Sequence, residues 1–160
     1  MPFVNNNQRE GSTSNSVVGA EFEQIAFEYF MKKEKIVLQK NYELKIGVEL
    51  KKKHRFDFGN DQVLIECKSH TWTNGRNVPS AKMTVWNEAM FYFNLAPEKY
   101  KKILFALMDY SQDRCKTLVQ YYIEKYYHFI PKDVVFYEYF PDGGYCEIYD
   151  FEKWKNVISI

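Results

Sequence analysis

The 160-residue chain has little of what would announce a function in bulk. Its three cysteines, Cys67, Cys115 and Cys146, are odd in number and far apart, so they supply neither a zinc site nor a disulfide framework. Its net charge is only +1, from 22 basic and 21 acidic residues, so a nucleic-acid role would have to come from a local patch. No apolar run approaches the roughly 20 residues of a membrane span, and no signal-peptide pattern opens the chain. The expectation is an intracellular, reducing compartment with no membrane partner. Internal repeats are missing, the seven glycines form no phosphate-cradling loop, and no Ser-His-Asp or Cys-His arrangement has a readable spacing.

Apolar residues and aromatics, by contrast, are plentiful, at 46% and 18% of the chain. That composition and length suit one globular domain with a substantial core. Residues 1–16, rich in Asn, Ser, Thr and Gln, have too little apolar content to pack and read as a flexible arm. Residues 17–160 read as the single domain. From Val17 to about Lys33, Phe22, Ile25, Ala26, Tyr29 and Phe30 recur at helical spacing. Glu21, Glu23 and Glu28 flank that stripe, and periodicity does not choose among them. Residues 36–50 alternate as a half-buried antiparallel strand. A helix is predicted from Ser80 to about Leu95, with Lys82 on its apolar face, ended by Pro97. Ile103 to Met108 reads as a strand covered on both faces. A strong helical stripe runs from Cys115 to Tyr127, Val134 to Phe140 is a strand, and a Pro-Asp-Gly-Gly turn leads to a last strand at Tyr145 to Tyr149. The tail from Phe151 carries no clear pattern.

The stretch from Arg55 to Lys68 organises the rest. It contains two strands joined by a turn at Gly59-Asn60-Asp61. In the second strand Leu64, Glu66 and Lys68 share one face, and Asp57 comes from the first. A carboxylate inside an apolar run such as Val63-Leu64-Ile65 costs free energy unless it is paired or binds a metal. The other Glu-x-Lys triplets, Glu43-Leu44-Lys45 and Glu49-Leu50-Lys51, fall in the alternating segment and read as a solvated strand face.

Asp57 followed by Glu66-Cys67-Lys68 resembles the core motif of the PD-(D/E)XK nuclease superfamily, an Asp on one strand and Glu-x-Lys on the next. The proline of that motif is absent, since Phe56 precedes Asp57. The order of one helix, three strands, a helix and a strand over roughly residues 17–110 is also similar. Lys82-x-x-x-Trp86 looks like the Gln-x-x-x-Tyr motif of the RecB-like branch with both residues replaced. The resemblance implies an α/β fold with a restriction endonuclease-like core, a central mixed β-sheet flanked by helices. It further implies a metal site for Mg²⁺ or Mn²⁺ held by Asp57, Glu66, the backbone carbonyl of Cys67 and an acid on the first helix, for which Glu23 fits best. Lys68 would orient the attacking water or neutralise developing charge.

The expected activity is metal-dependent phosphodiester hydrolysis, by a DNA endonuclease of the restriction or repair and recombination type. Lys51, Lys52, Lys53, His54 and Arg55 form the densest basic run. Lys51, Lys52, Lys53 and Arg55, with Lys82, are the expected nucleic-acid contacts, although a polar hairpin connection would also explain the run. Nucleic acid is the expected partner, and a homodimer fits because double-strand cutters often pair two sites. The rivals are a non-catalytic nucleic-acid-binding domain of the same fold and a structural or protein-interaction domain.

Overall fold

The structure, a computed structural model, describes residues 15–74, 77 and 79–158. The expected arm lies outside the described residues apart from its last two, which open the first helix. Helix α1 (Asn15–Tyr29) continues into a wider π-helical turn (Phe30–Glu34) and stops at Lys35, whose φ of 57° is left-handed. Its buried stripe, Phe22, Ala26 and Phe30, has the i, i+4 spacing of one helix face. Three strands follow: β1 (Gln39–Ile46), β2 (Lys52–Gly59) and β3 (Val63–Lys68). Helix α2 (Ser80–Leu95) then carries the chain back to β4 (Lys101–Leu107). A small hairpin, β5 (Tyr110–Ser111) and β6 (Lys116–Thr117), leads into α3 (Leu118–Tyr126). Strands β7 (Val134–Phe140) and β8 (Tyr145–Tyr149) and a short helix α4 (Phe151–Trp154) complete the described chain.

Six of these strands form one sheet in the order β1-β2-β3-β4-β7-β8. The outer pairs β1–β2, β2–β3 and β7–β8 are antiparallel, joined by short connections. The central pairs β3–β4 and β4–β7 are parallel, which requires the crossovers that α2 and α3 supply. The class is therefore α/β, with a mixed central sheet flanked by helices. Strand β4 opens on Lys101 and Lys102 and is apolar and buried from Ile103 to Ala106, where both of its faces are covered. One core joins α1 to Ile65, Ile103, Phe105 and Tyr137. The other, on the opposite face, joins α2 and α3 to Phe56, Leu64, Leu104 and Phe136.

Two sequence-based boundaries move. The strand expected over 36–50 is shorter, and its last residues form the loop before β2. Cys115, counted on a helical stripe, instead sits at φ 53° in the turn between β5 and β6. The helix starts at Leu118 because Thr117 and Gln120 form a reciprocal capping box, each side chain bonding the other's backbone amide.

Candidate active site

The geometry of the site begins with an irregularity in β2. Residues two apart on a regular strand share a face. Phe56 and Phe58 do not: Phe56 packs in the α2 core and Phe58 in the α1 core. Their β1 partners, Tyr42 and Lys40, are switched in the same way, Tyr42 against the α2 core and Lys40 over the Phe27 ring of α1. Between them lies Asn41, at a left-handed φ of 53° that asparagine tolerates better than most residues. Asp57 thus sits where the hairpin changes faces.

Strands β2 and β3 also part there. Their ladder holds at Gly59↔Leu64 and Phe58↔Ile65, and it stops before Asp57 and Glu66. The Asp57 side chain takes over, its Oδ2 accepting the Cys67 amide at 2.7 Å. A carboxylate accepting a backbone N–H usually titrates low. Here burial, then the Glu66 charge, outweigh that bond and the pull of Lys68, pushing the Asp57 carboxyl up to about 7, with Glu23 adding to the rise.

Glu66 is buried on the α2 face of β3. Its Oε2 lies 3.6 Å from Lys68 Nζ and its Oε1 lies 3.6 Å from His54 Nε2. Both distances fit ion pairing and exceed a good hydrogen bond. His54 stacks on Tyr92 of α2, ring centroids 3.7 Å apart, and meets Phe56 edge-on at 4.6 Å. Its Nε2 is buried and without a hydrogen-bond partner. Of the three acids on α1, Glu23 is the one that shares this site. Burial raises its carboxyl above the usual range, Glu66 raises it further, and Lys68 and Lys40 pull it back. Glu21 is exposed, and Glu28 is exposed and 3.5 Å from Lys32. The Cys67 thiol is pushed well up, first by burial and then by the Asp57 charge.

Asp57, Glu66, Lys68 and Glu23 are therefore brought together, with Cys67 anchoring the gap. The expected nucleic-acid contacts are spread more widely. Lys53 and Arg55 stand on the outer face of the β1–β2 hairpin, where Glu43 lies 3.8 Å and 3.0 Å from them. Alternation puts Lys52 on the other face, opposite Ile46. Lys51 and Lys52 are exposed in the loop and first position of β2. Lys82 donates to the Thr71 carbonyl at 2.9 Å and so ties α2 to the loop after β3. The neighbouring Trp86 is fully buried, and its indole N–H bonds His70 Nδ1 at 2.9 Å.

Two further titratable residues are not singled out by the sequence. His54 is visible in sequence only as a member of the basic run. Glu138 on β7 is 0% exposed, and no hydrogen bond of good geometry reaches either carboxylate oxygen. It stands in one cross-sheet row with Ala106 and Lys68. Burial pushes its carboxyl up to about 7, opposed by the Thr117 hydroxyl and reinforced by Glu147 across the strand pair. The signal that could have found it is the one used for Glu66, a carboxylate inside an apolar strand.

Among the described residues no three His, Cys, Asp or Glu side chains are grouped as a ready metal cage, and no helix is long and apolar enough to cross a membrane. The chain matches no family profile, no curated protein and no solved structure.

Proposed function

We propose that the protein is a phosphodiester hydrolase with a restriction endonuclease-like core, working through an acidic pair and a lysine with a divalent metal. Within that class it is a DNA endonuclease of the restriction or repair and recombination kind. The carrying observation is that Asp57, Glu66, Glu23 and Lys68, which come from three different elements, act on one another's charge at one partly buried place. An ion pair alone would account for Glu66 and Lys68. It would not account for two more acids beside them, nor for Asp57 being kept where its charge is disfavoured. The order α1, β1–β3, α2, β4 supports the same class.

The donor set suits Mg²⁺ or Mn²⁺. Such ions take hard oxygens and need only one or two carboxylates besides their waters. Asp57 and Glu66 would hold the ion, with Glu23 and the Cys67 carbonyl completing the set. Bound there, it would supply a nucleophilic water at neutral pH and stabilise charge on the phosphate. The chain's own residues do the rest. Asp57 fixes β3 through the Cys67 amide, which keeps Glu66 and Lys68 level with it. Lys68 either meets the charge that develops on the phosphate or orients the attacking water. Lys51, Lys52, Lys53 and Arg55 hold backbone phosphates along β2. Two copies of the chain would cut both strands of a duplex.

Plasmid cleavage tests this. Wild type is expected to cut with Mg²⁺ or Mn²⁺, and cutting is expected to vanish in chelator and in Glu66→Gln. In chelator the Gln variant melts no lower than wild type, because one of three mutually repelling acids is gone. Added Mg²⁺ raises the wild-type Tm more than that of the variant. A stability loss of roughly 3–5 kcal/mol in the chelated variant, with no metal effect on wild type, would instead make Glu66 the structural partner of Lys68. Binding without cutting would leave a non-catalytic binding domain, and no affinity even at low salt would leave a structural one.

A further inference from the structure

The β1–β2 hairpin places its most exposed apolar side chains at its tip. Val48 is 78% exposed and Leu50 is 92% exposed. The loop that carries them is tight. A Cβ on Gly47 would come within 2.1 Å of the Leu50 carbonyl oxygen, so the turn admits only glycine there. The two side chains are thus held outward by a compact turn. The flanks are basic: Lys45, Lys51, Lys52 and Lys53 are all exposed, and Arg55 follows. Of the acids nearby, Glu43 is engaged by Arg55 and Lys53, which leaves Glu49 at the tip itself.

Strand β2 connects this tip to Asp57. At ~3.3 Å per residue the path from Leu50 to Asp57 spans about 23 Å, or about seven base steps of duplex at ~3.4 Å each. Two isolated apolar side chains are too little for a protein partner, which needs on the order of 800 Å² from each side. They are what a base step needs, since proteins that open a duplex insert one or two apolar residues between bases while basic residues hold the flanking phosphates.

We propose that the tip is a wedge for duplex nucleic acid, with Val48 and Leu50 entering a base step and Lys45, Lys51 and Lys52 on the adjoining phosphates. This rests on the nuclease reading, because it takes the substrate of that site as its occupant. The substrate class becomes a duplex that is bent or opened several steps from the cut.

The test uses the full chain in chelator, where no cleavage occurs, and a set of duplexes each carrying 2-aminopurine at a different step. Wild type is expected to raise the fluorescence severalfold at one step. Val48→Ser with Leu50→Ser, both at exposed positions, is expected to bind within about threefold of wild type and to leave the fluorescence at its free level. Wild type that binds every duplex without unstacking any step would overturn the wedge and leave the nuclease reading standing. So would a double variant that unstacks as wild type does. Failure of wild type to bind any duplex at low salt would overturn both. Sedimentation of wild type, but not the double variant, with vesicles of phosphatidylglycerol would overturn the wedge in favour of a lipid surface.

Discussion

The Asp57 carboxylate spans the gap between β2 and β3, its Oδ2 holding the Cys67 amide at 2.7 Å. It does so while its own charge is disfavoured, with a carboxyl pushed up to about 7 from the ordinary 3.8. A carboxyl whose folded pKa is raised adds stability that is fully present below its unfolded value and is lost as pH rises through the folded one. The loss here falls between about pH 4 and pH 7. Asparagine keeps an oxygen for the Cys67 amide and has no proton to lose. Asp57→Asn is therefore expected to match wild type near pH 4 and to exceed it at pH 8, by on the order of 2 kcal/mol. Urea unfolding in chelator at the two pH values checks this, and parallel curves for the two proteins would contradict it.

Glu138 gives a second pH window away from the residues proposed to hold a metal. Its carboxyl, raised to about 7 from 4.5, costs the fold progressively between those values. Glu138→Gln keeps the shape and removes the charge. It is expected to be more stable than wild type at pH 8 by on the order of 1–3 kcal/mol, and equal to it below pH 4.5. Because Glu138 lies on β7, the gain should appear with no change in Mg²⁺ affinity. Melting temperatures across pH, with and without metal, report both quantities. A variant less stable than wild type at pH 8 would show that the ionised carboxylate is satisfied after all.

The basic run makes a salt-dependence prediction. Lys53 and Arg55 already face Glu43 on the outer side of the hairpin. Lys51 and Lys52 lie closer to its tip. Replacing Lys51 and Lys52 by Ala is expected to weaken DNA binding equally for all sequences. It should also flatten the plot of log affinity against log salt by about one unit for each phosphate that is no longer neutralised. Binding titrations at several salt concentrations measure the slope. An unchanged slope would make the run a solvated hairpin connection.

The sequence carried the α/β class because hydrophobic period and turn chemistry are local: Val63 to Lys68 and Ile103 to Met108 read as strands, and Ser80 to Leu95 as a helix. The placement of Asp57 opposite Glu66 was legible for the same reason, since a short turn joins their strands. Periodicity could not separate Glu23 from Glu21 and Glu28, because all three sit near the edge of the same stripe; only the resemblance favoured Glu23, and the lie of α1 on the sheet decides. His54 escaped because its significance depends on β2, β3 and α2 together, through its stack on Tyr92 and its reach to Glu66. Cys115 was misplaced because a helical repeat continued by chance into a turn, while the Thr117–Gln120 capping box that marks the true start went unused. The face change at Asn41 has no sequence period at all, as one left-handed residue breaks the alternation that would reveal it.

That face change also decides which insertions and deletions the chain can absorb. Adding or removing one residue between Asp57 and Glu66 would turn one of the two acids to the wrong side of the sheet. Adding or removing a pair of residues beyond Lys45 and Lys53 would keep the alternation on the arm and leave both acids where they are. Length variation is therefore tolerable at the outer end of the hairpin. From Asn41 inward along both strands, and on to Lys68, the residue count itself is under constraint.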